Sequence, residues 1–237
     1  MPVAGFYAQN PDTGTFLIDE TFRSLAVRRK GTVTLGADGS GSVSWESPVM
    51  PMLAVRCTKE VAVFGGTVIF GGNLVWRLWG TPGAVVSYWL FDVPVPTGGT
   101  HGLQLYNAAG ELTFDSSMQY ARYAGIYFVD DVETTSPSYT LPAGKTYAVV
   151  LLKSGWQFET QVMDDGLPRS PQGNYYLRDR FNSGGCSINS NVLHFDWYDT
   201  RTFSEWSDHV YTAEDVFAHQ TYGHYTVHAL VLDVTGY

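Results

Sequence analysis

The side chains best suited to chemistry gather in the last third of the chain. The histidines are His101, His194, His209, His219, His224 and His228. A zinc centre needs His or Cys ligands at a recognisable spacing. His224 and His228 are four apart, as on a metal-binding helix, but Val227-His-Ala-Leu-Val-Leu-Asp-Val234 predicts a strand. On a strand that spacing is about 13 Å, which one ion does not bridge. His219 and His224 could face each other only across a turn. The oxygens of Asp164-Asp165 and of Asp179 to Asn182 lack the spacing of a calcium loop. Spacing thus assigns no metal and no cofactor.

The carboxylates Glu159, Asp196, Asp199 and Glu205 stand among Trp and Tyr, as in a glycosidase cleft. Glycoside hydrolysis needs two carboxyls at a defined separation, which a sequence does not fix. No Gly-x-Ser-x-Gly elbow is present, neither cysteine has a catalytic signature, and Gly36-Ala-Asp-Gly-Ser-Gly41 lacks the Lys of a phosphate loop. No catalytic residue is assigned, and the expectation is a protein that is not an enzyme. Trp156, Tyr175, Tyr176, Trp197, Tyr198 and Trp206 are the candidate contact residues. Trp and Tyr combine rigid area with a polar tip, which suits a protein partner or a stacked sugar. They serve equally to pack their own segment onto a core.

What must position these residues is a chain of strands. Aromatics make up 15% of the 237 residues, and Gly and Pro together number 36. That is the composition of strands joined by tight turns. The net charge of -9 with only four Lys argues against nucleic acid and against an anionic membrane surface. Residues 154–224 hold ten acids against four Arg, which is -6 of that total. Cys57 and Cys186 lie in different halves and are expected as free thiols. The start Met1-Pro-Val-Ala-Gly5 is not that of a signal peptide, and no apolar run reaches the length of a membrane span. Synthesis in the cytoplasm without membrane insertion is expected.

A repeat organises the strands. Residues 5–27 (GFYAQNPDTGTFLIDETFRSLAV) align with 102–124 (GLQLYNAAGELTFDSSMQYARYA). Gly5 matches Gly102, Asn10 matches Asn107, Gly14 matches Gly110, and Asp19 matches Asp115. Alternation around an Asn-to-Gly turn predicts a hairpin in each copy. Val86 to Val93 and Val227 to Val234, both ending Asp-Val, close the copies. The expected fold is all-β, with two tandem β-sandwich-like repeats at 1–95 and 101–237. The second carries a long, loop-rich insertion at about 154–224. Thr212 to Ala218 is the best helical candidate, with Thr212 as its cap.

The stretch Gly-Leu-Gln-Leu-Tyr-Asn-Ala-Ala-Gly-Glu-Leu-Thr-Phe-Asp-Ser, residues 102–116, resembles the opening of small β-rich proteins from tail-gene clusters of tailed bacteriophages. These are minor tail, tail-tip or baseplate-associated proteins. The Gly5–Asp19 copy fits more loosely, with a longer turn and Glu20 in place of Ser. Leu141-Pro-Ala-Gly144, followed by Tyr147-Ala-Val-Val150, is similar too. The resemblance covers about a quarter of the chain and brings no catalytic residues. It implies a structural virion protein of the tail, made in the host cytoplasm and placed by contacts with other tail or baseplate proteins. A homo-oligomer in the particle is the expected assembly. Host attachment through the 154–224 insertion is a separate expectation from its aromatics, directed at a cell-surface receptor or glycan. Two rival readings stay open: a carbohydrate-binding module using those aromatics, and a cell-wall glycosidase using the acids.

Overall fold

The computed structural model describes residues 7–9, 16–19, 24–46, 49–65, 73–98, 102–164, 175–207 and 220–237. The protein is all-β. Its first half supplies β1 (Tyr7–Gln9), β2 (Phe16–Asp19), β3 (Ala26–Thr34), β4 (Ser40–Glu46), β5 (Met52–Arg56), β6 (Val61–Gly65), β7 (Asn73–Gly80) and β8 (Val85–Asp92). The second supplies β9 (Gln104–Tyr106), β10 (Leu112–Asp115), β11 (Tyr123–Val129), the single-turn helix α1 (Val132–Thr135), β12 (Ser138–Thr140) and β13 (Tyr147–Lys153). It continues through β14 (Trp156–Asp164), β15 (Tyr175–Asn189), β16 (Val192–Ser207), β17 (Gln220–His224) and β18 (Val227–Asp233). Among the described residues no helix is long and apolar enough to cross a membrane.

Both expected opening hairpins are present as antiparallel pairs, β1 with β2 and β9 with β10. The second turn works through the residues that the repeat singled out. The Asn107 side-chain oxygen accepts from the Ala109 and Glu111 amides at 3.0 and 2.9 Å. Gly110 supplies the positive φ of 78° that a residue with a side chain resists. Residues 10–15, the corresponding turn of the first copy, lie outside the described residues.

Two sheets are built jointly by both halves. One runs β11-β18-β13-β5-β8-β3, the other β12-β16-β15-β6-β7-β4, with β14 and β17 attached beside β15. In chain order β3 to β8 correspond to β11, β12, β13, β15, β16 and β18. Exchanging the members of each pair turns either sheet order into its own reverse. The halves meet at the middle of each sheet, where Val55 pairs with Val149 and Val61 with Cys186. The segment 93–98 between them carries no strand or helix.

The core follows the seam. Leu53, Val55, Val86, Tyr88 and Leu90 pack with β4, β6 and β7 residues in one cluster. Val149, Cys186, Ile188, Leu193, Phe195 and Val231 form another between the second half's strands. A third cluster draws Ala54 and Phe91 from one half and Ala148, Val150, Leu230 and Leu232 from the other. Successive residues of β13 and β18 therefore enter different clusters, so these two strands are covered on both faces. That is why those strands read as continuous apolar runs rather than alternating ones. Gly185 makes the second seam possible: a Cβ there would lie 2.9 Å from the Val61 carbonyl oxygen.

The Asp-Val landmark closing each repeat has a structural duty. The buried Asp92 carboxylate accepts from the Trp45 indole at 2.7 Å and from the Met50 and Val93 amides at 2.9 and 2.8 Å. It ties the end of β8 to β4 and to the loop after it. Asp233 accepts from the Thr235 amide at 3.0 Å and pairs with Lys145 at 3.0 Å. Burial by itself would raise the Asp233 pKa; bonds from Thr235 and Lys145 and the Arg122 charge outweigh it and hold the group at about 2. Asp115 accepts from the Ser117 amide and hydroxyl at 2.8 and 2.6 Å, a turn role.

The 154–224 segment differs from the loop-rich insertion expected of it. Where described, it is strand over β14, β15, β16 and β17, and β15 and β16 pair over nearly their whole lengths. Its polar composition hid this, because it shows neither a strand period nor an apolar face. The 212–218 helical candidate lies outside the described residues. The helical turn that is present, α1, begins at Asp131, whose carboxylate accepts from the Thr134 amide at 3.1 Å.

Two outcomes follow from this packing. Gly185→Val forces β6 and β15 apart and lowers stability by about 1–3 kcal/mol in urea unfolding; an unchanged midpoint would contradict the close approach. Asp233 has a folded pKa of about 2 against about 3.9 for an unfolded Asp. Its contribution, about 1–2 kcal/mol after allowing for its half-exposed cationic partners, is present above the unfolded pKa and fades as pH falls through 2. Asp233→Asn should therefore flatten the acid limb of a stability-against-pH curve.

Candidate functional site

The second sheet turns a polar row outward at the seam between the halves. Ser138 on β12 pairs with His194 on β16, and His194 pairs with Ser187 on β15. Because Val61 pairs with Cys186, Glu60 lies opposite Ser187. Their strand neighbours Cys186, Ile188, Leu193 and Phe195 point the other way, into the core. Asp196, two residues beyond His194, falls on the same outer face and lies opposite Gly185, which offers no side chain above it.

The result is a convergent group. One ligand-type atom from each of Glu60, His194 and Asp196 lies within 4.8 Å of the other two, and all three residues are half-buried. His194 Nε2 is 3.8 Å from Asp196 Oδ2. Around them stand four orienting contacts. The Ser138 hydroxyl lies 2.6 Å from His194 Nδ1. The Ser136 hydroxyl and the Trp197 amide donate to Asp196 Oδ1 at 2.9 and 2.8 Å. Ser187 donates to Glu60 Oε1 at 3.4 Å. Glu60 is also fixed through its backbone, since the turn before it accepts the Ile188 amide at the Cys57 carbonyl, 2.7 Å away.

Ser138, His194 and Asp196 have the residue types of a hydrolytic triad but not its geometry. At 3.8 Å the His194–Asp196 contact exceeds hydrogen-bond reach, and Ser138 sits on a strand rather than at a sharp turn. None of three clefts of about 480–580 Å³ is lined by these residues. The cleft beside β3 and β4 is lined by Arg28, Arg29 and Trp45, and its arginines are engaged internally: Arg28 donates to the Val93 carbonyl at 2.8 Å and Arg29 to that of Ser44 at 3.2 Å.

The carboxylates and aromatics singled out in the sequence are spread along the ribbon. Asp196 and Glu205 sit nine residues apart on β16, about 30 Å at strand rise. Glu159 pairs with Arg180 and Asp199 with Asn182. Trp156 opens β14 opposite Ser183, and Ser183 in turn pairs with Tyr198. Tyr175 pairs with Ser207 and Tyr176 with Trp206. The side chains of Tyr175, Tyr176, Tyr198 and Trp206 lie outside the described residues. Trp197 is half-buried against the second core cluster, its ring 5.4 Å from that of Tyr225. His219 also falls outside the described residues.

Nothing local in the sequence connects Glu60 to His194. The one available signal was His194-Phe-Asp196, whose i, i+2 spacing puts both polar groups on one face of a strand. The thiols are free and buried: burial, chiefly, raises Cys57 and pushes Cys186 up to about 12, so neither is a nucleophile at neutral pH. Trp197→Ala should lower stability by about 2–3 kcal/mol in urea unfolding; full stability would point instead to a ring kept for contact with a ligand. No family model, curated protein or solved structure matches the chain.

Proposed function

We propose that this chain is a structural protein of a tailed-phage virion, a tail-tip or baseplate-associated minor tail protein that works through protein contacts. The observation carrying this reading is the edge strand β11. Tyr123, Ile126 and Phe128 on it are 63%, 55% and 63% exposed, and among the described residues β11 ends its sheet, with β18 on one side. An open apolar edge without a charge is an aggregation hazard in a free monomer and a docking rail in an assembly. At the other end of the sheet, β3 carries Arg28, Arg29 and Lys30, the usual protection of an edge.

The resemblance of residues 102–116 to phage tail proteins supports the same reading, and the hairpin it covers is a built element with its own turn chemistry. On this proposal the partners are other tail or baseplate proteins and further copies of the chain, and the location is the virion. The ribbon of β14, β15, β16 and β17 is the element available for host attachment. Its Trp and Tyr content keeps a second reading, a carbohydrate-binding module, in view.

The test is a phage carrying Phe128→Asp. The purified variant should keep its melting temperature within a few degrees, because the ring is exposed. Its particles should lack the protein or fail to assemble complete tails under the electron microscope. Normal, infectious particles would overturn the assignment of β11 as a contact edge. A glycan array read with wild-type protein and Trp156→Ala separates the carbohydrate reading, which requires binding that the substitution removes.

A further inference from the structure

We propose that Glu60, His194 and Asp196 form a binding site for a divalent transition-metal ion, of which zinc is the representative, and that the ion clamps the two repeats together. The inference does not depend on the proposed function. It rests on the convergence of three ligand atoms of the right chemistry, within 4.8 Å of one another, from two segments remote in sequence. Around a zinc ion with bonds of about 2.0–2.1 Å, ligand atoms lie about 3.3 Å apart. The His194 Nε2 to Asp196 Oδ2 separation of 3.8 Å is already close to that figure. Glu60, on a flexible side chain, needs the larger adjustment.

The orientation of each ligand supports a metal over a simple ion pair. Ser138 engages Nδ1 of His194 and leaves Nε2 turned toward the carboxylates. Ser136 and the Trp197 amide engage Oδ1 of Asp196 and leave Oδ2 turned toward the imidazole. Ser187 holds one oxygen of Glu60. Outer contacts of this kind fix the ligating atom in metal sites. Among the described residues no Lys or Arg pairs with either carboxylate. A dication would therefore balance the two negative charges. One imidazole beside two carboxylates suits zinc or manganese better than calcium, which takes six to eight oxygens. Three protein ligands leave a position for water.

The location gives the site its consequence. Glu60 belongs to the first repeat, while His194 and Asp196 belong to the second. They meet over β15, which pairs with β6 on one side and with β16 on the other, at the seam between the halves. An ion there would cross-link the repeats at the point where they join in the second sheet.

The test uses metal-stripped full-length protein in calorimetric titrations with zinc, manganese and calcium chlorides, followed by thermal melts. Zinc should bind at one ion per chain and raise the melting temperature. Glu60→Gln and His194→Ala should each weaken zinc binding at least about tenfold, while His228→Gln, on the other sheet, should leave it unchanged. X-ray absorption at the zinc edge of the wild-type protein needs no variant and should show nitrogen and oxygen ligands with one imidazole. Absence of saturable zinc binding would overturn the proposal. So would binding that survives both substitutions, or a zinc shell with sulfur or several imidazoles.

Discussion

Backbone pairing between strands from opposite halves of the chain is the constraint on which the rest of this structure depends. β5 meets β13 through Val55 and Val149, and β6 meets β15 through Val61 and Cys186. Each contact is narrow, yet each places the middle of a sheet where two repeats join. The third core cluster, drawn from both halves, then closes over the first seam. Removing either half would expose apolar residues of β5 or β13 and leave unpaired backbone groups at the centre of a sheet, which is costly on both counts. The repeat therefore supplies two halves of one framework, joined edge to edge with reversed strand order.

The framework also says what the second repeat adds. It is interrupted at two points: after β13, and again within β16. The stretch from about Asn182 to Asp199 belongs to the shared second sheet, since it pairs with β6 and β12 and supplies Cys186, Ile188, Leu193 and Phe195 to the core. The extra residues are β14, the first half of β15, the second half of β16 and β17, which pair with one another. The ribbon is continuous with core strands, since β15 and β16 run from it into the part that packs in the second cluster.

Legibility in the sequence tracked locality. The Asn107–Gly110 turn was readable because Asn and Gly each do one thing there, and the structure uses both. The Asp-Val closings were readable as a repeat, but their duty was not, since the donors to Asp92 come from Trp45 and Met50, far back in the chain. The shared sheets left no trace because Val55 and Val149 carry no mark of pairing with each other. The ribbon reads as loop in the sequence because its polar composition gives no period. The Glu60–His194–Asp196 group was invisible for the same reason as the seam, as it exists only once β6 lies beside β15.

Hydrogen exchange, followed residue by residue on the intact protein under native conditions, tests the joined framework most directly. If the repeats are one cooperative unit, the amides of β5, β6, β13 and β15 at the seam should exchange only through global unfolding. Those of β8 and β18, deep in either half, should then share a single opening free energy. Two separate opening energies, one for each half, with the seam amides exchanging faster than both, would contradict the account.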